Sequence, residues 1–209
     1  MGRGAQKLEG ALIDLAVVAN DRLCLDVGAS TGGFTQVLLE AGARGVAAVD
    51  VGRGQIDARL RADARVVVLD GINARYLRVE DLPFRPSLAV IDVSFISLER
   101  ILPAVLACLT PDGDAVALVK PQFEVRRGKV GRGGIVRDPD LHREVLHRIG
   151  AFAIATGTGV RALARSRITG AEGNVEFFVV VSPGTAGLPS EALARRIEET
   201  VTQPPERSS

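Results

Sequence analysis

Leu23-Cys24-Leu25-Asp26-Val27-Gly28-Ala29-Ser30-Thr31-Gly32-Gly33-Phe34 begins as an apolar run and passes into a cluster of small residues. That pattern reads as a buried strand turning into a helix. Gly28 and Gly32 allow tight backbone dihedrals and close approach of a ligand, and the helix N-terminus offers unpaired N–H groups. The spacing is not the dinucleotide fingerprint G-x-G-x-x-G, because Ser30 holds the position of the second glycine. The turn suits S-adenosylmethionine better, a ligand that brings no pyrophosphate to the helix. Cofactor contacts are therefore expected from Gly28, Ala29, Ser30, Gly32, Gly33 and Phe34. Asp26, at the strand end, either meets the ligand's ammonium group or is only a turn former.

Working outward, Gly45-Val46-Ala47-Ala48-Val49-Asp50 is a second short apolar strand ending in an acid, 24 residues after Asp26. An acid at this place in an α/β site accepts hydrogen bonds from ribose hydroxyls. A third strand, Arg65-Val66-Val67-Val68-Leu69, runs into Asp70-Gly71-Ile72-Asn73. Asp70 or Asn73 is placed to hold an adenine edge, unless both are ordinary loop residues.

Strand and helix patterns then alternate along the chain. Strands are expected near 22–27, 45–50, 65–69, 87–92 and 113–119. Helices are expected from Lys7 to Ala19 and near 33–41, 54–62, 98–108 and 139–155. This alternation predicts a doubly wound parallel sheet with right-handed crossovers. Arg161 to Ile168 and Glu176 to Val181 form two further strands. The loop between them is too short for a crossover helix, so that pair must be antiparallel. The expected fold is a Rossmann-like α/β sheet similar to that of class I S-adenosylmethionine-dependent methyltransferases, seven-stranded and mostly parallel with the last strand antiparallel. Residues 1–182 make one domain. The tail 183–209 is rich in Pro, Gly, Ser and Glu, with a short helix over Leu188 to Glu199 and disorder from Thr202 to Ser209.

The 209 residues, 46% of them hydrophobic, suffice for a full core. The formal charge of +1 does not advertise a polyanionic partner, so charge distribution must carry that argument. Cys24 and Cys108 have neither metal-ligand spacing nor a disulfide-rich pattern, and read as core residues of a reducing compartment. His142 and His147 are too few for a zinc site, and no metal is expected. No apolar run reaches the roughly 18 residues of a membrane span, and no leader opens the chain, so a soluble cytoplasmic protein is expected.

The fourth strand ends in Val90-Ile91-Asp92-Val93-Ser94-Phe95 and the fifth in Leu118-Val119-Lys120-Pro121-Gln122-Phe123. Asp92 and Lys120 thus stand at neighbouring strand ends beside the topological switch point. They form either a structural ion pair or a catalytic pair in which the lysine is held charged or released as a base. Phe95 or Phe123 either stacks on a base or belongs to the core. From Lys120 to Arg137 six basic residues face one acid, Glu124, among glycines. Arg126, Arg127, Lys129, Arg132 and Arg137 make this loop a candidate for binding phosphate oxygens, against the alternative of a solvated excursion.

These residues resemble the TlyA or haemolysin-A family of ribosomal RNA 2′-O-methyltransferases, whose catalytic domain is similar to the FtsJ or RrmJ methyltransferases. The resemblance rests on Lys7-Leu8-Glu9-Gly10-Ala11-Leu12, the segment from Asp26 to Phe34, Asn73-Ala74-Arg75-Tyr76-Leu77, and Ile91-Asp92-Val93-Ser94-Phe95-Ile96-Ser97-Leu98. It continues through Val119-Lys120-Pro121-Gln122-Phe123-Glu124, Gly133-Gly134-Ile135-Val136-Arg137-Asp138-Pro139 and the run from Ile168 to Phe177. It implies a Lys-Asp-Lys-Glu tetrad on Lys7, Asp92, Lys120 and Glu176, where Lys7 and Glu176 in isolation read as solvated charges. It also implies S-adenosylmethionine as methyl donor, S-adenosylhomocysteine as product and a cytidine ribose of ribosomal RNA or a ribosomal subunit as acceptor. Such proteins usually carry an S4-like RNA-binding domain before the segment matching Lys7, and six residues precede Lys7 here. The expectation is that this anchor is absent. RNA is then gripped by the remaining surface or presented by a protein partner, or the acceptor is a small nucleoside-like molecule, or the chain is a non-catalytic RNA-binding module. No membrane partner is expected.

Overall fold

The structure is a computed structural model that describes residues 2–126, 128–170, 172–185 and 187–203. Seven strands form one sheet: β1 (Leu23–Val27), β2 (Gly45–Asp50), β3 (Val66–Asp70), β4 (Leu88–Ile91), β5 (Asp114–Val119), β6 (Thr158–Arg165) and β7 (Phe177–Pro183). Their order is β3-β2-β1-β4-β5-β7-β6. The first five are parallel, while β7 pairs antiparallel with both β5 and β6. The reversed strand therefore lies inside the sheet, one place from its edge. The order reverses direction between β1 and β4, which opens a crevice at the C-terminal ends of these strands.

Helices cover both faces, so β1, β4 and β5 are buried on both sides and are largely apolar, with Asp26 inside β1 and Asp114 at the start of β5 as the exceptions. Alternation along β1 divides its side chains: Cys24 joins the cluster under α1 (Arg3–Asp14) and α2 (Gly33–Glu40). Leu25 and Val27 join the cluster on the opposite face. That second cluster takes in α4 (Leu102–Cys108), α6 (Pro139–Ala155) and α7 (Ser190–Thr202), while α3 (Ala58–Arg61) and α5 (Pro121–Glu124) are single turns. Cys24 and Cys108 are buried free thiols, and burial pushes their pKa values up to about 12 and about 11.

Several helices depart from the sequence reading for identifiable reasons. α1 begins at Arg3 and stops at Asp14, because Ala16 enters the left-handed region at φ +51 and Val17 N–H turns back to the Leu12 carbonyl. The helix expected over 98–108 is a 3-10 turn, Leu98–Arg100, followed by α4. Pro103 at the start of α4 supplies no N–H to a preceding turn, so the two cannot merge. The helix expected over 54–62 shrinks to α3, capped by the Asp57 side chain on Arg59 N–H. α7 runs through Thr202 and buries Leu193, Ile197 and Val201. Residues 204–209 lie outside the described residues. No helix among the described residues is long and apolar enough to cross a membrane.

Candidate active site

The turn after β1 is built around Gly28, at φ +83. Its N–H and that of Ala29 both donate to the Val49 carbonyl, at 2.8 and 3.2 Å. A Cβ on Gly28 would run into the Asp92 backbone carbonyl, so glycine lets the ends of β1, β2 and β4 close together. Ser30 N–H donates to Asp50 Oδ2 at 2.8 Å, and Gly52 N–H donates to Asp50 Oδ1 at 2.7 Å. One carboxylate thus fixes two turns while keeping further lone pairs for a ligand.

These ends enclose a cavity of about 400 Å³ lined by Gly28, Ser30, Asp50, Asn73, Asp92 and Phe95, with apolar walls from Val49, Val51, Ile72 and Ile101. Its size and its mixture of apolar walls with a few polar groups suit a nucleoside-sized ligand. Asp50 occupies the place expected of a ribose acceptor. Asn73 also lines the cavity, with Oδ1 accepting from Arg75 N–H at 3.0 Å.

Other expected cofactor contacts lie elsewhere. Asp70 is held by Arg61 at 2.9 Å and by Gly54 N–H, interactions that lower its pKa, and it does not line the cavity. Asp26 is fully buried on the face of β1 covered by α1 and α2, accepting from Thr35 Oγ1 at 2.6 Å, because its position in the strand alternation aims it under α2. It does not line the cavity. Phe34 is 3% exposed and packs its ring against Phe178, so it secures α2 in the core. Ala29 is buried beneath the turn. Gly32 and Gly33 face a separate hollow of about 640 Å³ beside Gln36 and Arg59.

The expected catalytic residues form two ion pairs. Lys120 Nζ lies 2.6 Å from Asp92 Oδ1 and donates to Ser94 Oγ at 2.9 Å. Pro121 begins α5 immediately afterwards and fixes where the chain turns. Lys7, carried by α1, donates to Glu176 Oε2 at 2.6 Å, and both residues are buried. The β5–β7 ladder ends at Val119 opposite Phe177, so Lys120 and Glu176 stand one step beyond it. Gln122 Nε2 completes the connection by donating to Glu176 Oε1 at 3.3 Å. Burying charge is costly even when paired, so the Lys7–Glu176 pair is not by itself a source of stability.

Phe95 is 89% exposed at the cavity mouth and meets Phe123 with ring centroids 4.7 Å apart. It is not a core residue. Arg126, Lys129, Arg132 and Arg137 are exposed, and Arg127 lies outside the described residues. Lys129 pairs with Glu144 at 2.7 Å. The far end of this loop is anchored: buried Asn174 accepts from Val136 N–H and donates to the Gly134 carbonyl, each at 2.9 Å, and His142 Nε2 lies 2.9 Å from the Val136 carbonyl. Sequence reasoning missed Ser94, Gln122 and Thr35 as partners of the charged groups. Ser94 and Gln122 lie two residues beyond Asp92 and Lys120, a proximity that offered a signal.

Residues 1–182 match the FtsJ-like methyltransferase family. A 16S/23S rRNA (cytidine-2′-O)-methyltransferase TlyA from Mycobacterium tuberculosis is 45% identical over 206 residues, covering 98% of this chain and 77% of that protein. Hemolysin A from Brachyspira hyodysenteriae is 41% identical over 181 residues, covering 85% of this chain and 75% of that protein. A Lactococcus lactis crystal structure carrying the provisional label hemolysin superposes with a TM-score of 0.90 at 42% identity, covering 96% of each chain. A glycine turn closing three strand ends, an acid at the end of β2 and a lysine–carboxylate pair at the switch point thus sit within a match spanning nearly the whole chain, and the chain belongs to the FtsJ-like methyltransferase family.

Proposed function

We propose that this protein transfers a methyl group from S-adenosylmethionine to the 2′-hydroxyl of a cytidine ribose in ribosomal RNA, working in the cytoplasm. The observation that carries this reading is the Lys120–Asp92 pair, 2.6 Å apart, whose Asp92 lines the same cavity as Asp50 and Gly28. The cytidine and the ribosomal RNA come from the activity named for the Mycobacterium tuberculosis relative. Residues 1–182 form the catalytic unit.

In this reading Asp50 accepts from the ribose hydroxyls of the adenosyl group, Asn73 meets the adenine edge, and the Gly28 turn gives the ligand close access to backbone. S-adenosylmethionine, when bound, would supply an electrophilic methyl group on its sulfonium to the acceptor oxygen and would leave as S-adenosylhomocysteine. Asp92 orients Lys120 and places negative charge near the sulfonium. Lys120 acts on the acceptor hydroxyl, either as a general base once it has lost a proton or as a cation stabilising the developing alkoxide. Lys7, Glu176 and Gln122 fix the acceptor ribose beside them. Holding donor and acceptor together in one site would supply much of the acceleration. Phe95 stacks on the acceptor base, and Arg126, Arg127, Lys129, Arg132 and Arg137 meet phosphates.

The test is labelled methyl transfer to intact ribosomal subunits, naked ribosomal RNA and a nucleoside panel, with and without charge in the loop. RNA or subunits should accept methyl and free nucleosides should not. Neutralising Arg126, Arg127 and Lys129 together should flatten the salt dependence of RNA binding by up to about three counterions while leaving cofactor affinity unchanged. Transfer to nucleosides alone, or an unaltered salt dependence, would move the acceptor to a small molecule or to RNA presented by a protein partner.

A further inference from the structure

Phe95 combines a large exposed ring with a left-handed backbone, φ +64. A bulky L-residue occupies that region only where its surroundings over-determine it, and such residues gather at working sites. The surroundings here converge on Glu124, a residue that is 5% exposed and ends α5, the turn begun by Pro121 directly after Lys120. Its Oε1 accepts from Leu98 N–H at 2.8 Å, and its Oε2 accepts from Ser97 Oγ at 2.8 Å. Arg148 of α6 donates to Oε2 and to the Glu124 carbonyl, both at 2.8 Å, and its Nε donates to Glu99 at 2.9 Å.

One carboxylate therefore grips two consecutive residues of the loop that leaves β4, and Arg148 holds that carboxylate in place. Gripping both Ser97 and Leu98 fixes the direction of the loop as well as its distance. The other end of the same loop is held by Ser94, which accepts from Lys120. Phe95 is caught between these attachments, its ring against Phe123. Both attachments come from the short segment Lys120 to Glu124, so the nucleophile-activating lysine and the aromatic at the cavity mouth are set by one rigid turn.

We propose that Glu124, held by Arg148, is a positioning residue for methyl transfer: its grip on Ser97 and Leu98 keeps Ser94 against Lys120 and Phe95 at the cavity mouth. Glu124 acts through these residues and does not touch the reacting atoms. Its kinetic consequence rests on the methyl-transfer reading above; its effect on loop order does not.

The chain contains no tryptophan, so Phe95→Trp installs a single indole fluorophore on the loop. Adding Glu124→Gln to that variant should increase quenching of the indole by acrylamide and lower its anisotropy, with far-ultraviolet circular dichroism and cooperative melting retained. Ser97→Ala, which removes one of the three bonds to the carboxylate oxygens, should do the same to a smaller extent and covers the case in which the glutamine variant folds poorly. In the chain with Phe95 intact, Glu124→Gln should lower kcat by about tenfold and raise KM for RNA through the loosened Phe95, while KM for cofactor is unchanged. Unchanged indole quenching in both variants overturns the proposal, as does a lower melting temperature with kcat intact. If the indole loosens but the wild-type chain methylates no RNA, the loop-holding role stands and the methyl-transfer reading fails.

Discussion

Burial pushes the Asp26 carboxyl up to about 7 from its ordinary 3.8, outweighing the Thr35 hydrogen bond that favours ionisation; Asp92 and Asp50 nearby add to the rise. Its Oδ1 has no hydrogen-bond partner in the protein. Between about pH 4 and 7 the unfolded chain ionises this group while the folded chain keeps its proton, so the group's contribution to stability falls as pH rises. The slope is up to ~1.4 kcal/mol per pH unit for one proton. Asp26→Asn keeps an acceptor for Thr35 and cannot ionise. Its melting temperature relative to wild type should therefore move in the variant's favour from pH 5 to pH 8. A gap independent of pH would show that Asp26 is ionised throughout. Sequence alone located an acid at a strand end, but the choice between cavity and core depended on Thr35, nine positions away on α2. By contrast, Asp50, Asp92 and Lys120 were legible because each terminates an apolar strand, and parallel strands in an α/β sheet present those ends at one edge.

At the scale of elements, strands were the more legible because long apolar stretches have few alternatives to a doubly covered sheet. The short loop between β6 and β7 also sufficed to make that pair antiparallel. It did not determine which of the two would dock on β5, since either placement satisfies loop length; the register of Val119 with Phe177 resolves it and brings Glu176 beside Lys120. Helix limits were less legible, because left-handed Ala16 and the break before Pro103 follow from local backbone geometry that hydrophobic periodicity does not encode. α7 carries a prediction. Ile197 is fully buried in the cluster that also holds Leu146 and Ile149. Truncating it to alanine should cost ~2–5 kcal/mol by the lost transfer energy and the cavity left behind. Urea denaturation reads this directly, and a loss below about 0.5 kcal/mol would show α7 to be a surface appendage.

Across the whole molecule, net charge is nearly balanced, and topology gathers the charged groups of the candidate site. The reversal between β1 and β4 opens the cavity; β5 adds Lys120; β7 and α1 bring the buried Glu176–Lys7 pair to the same edge. Because α1 and β7 are far apart in sequence, no local pattern could join Lys7 to Glu176, and the resemblance to a known family was what suggested it. Truncating either partner of that buried pair would leave an uncompensated charge and confound folding with chemistry. Lys120 offers the cleaner test, since its partner Asp92 keeps some contact with solvent. The most direct measurement is single-turnover methyl transfer by wild type and Lys120→Ala at saturating enzyme and cofactor, with mass spectrometry locating the product methyl. The account predicts a ribose 2′-O-methyl from wild type and loss of transfer in Lys120→Ala, with cofactor affinity retained. Wild-type rates from Lys120→Ala, or a methyl on a base instead of on ribose oxygen, would contradict it.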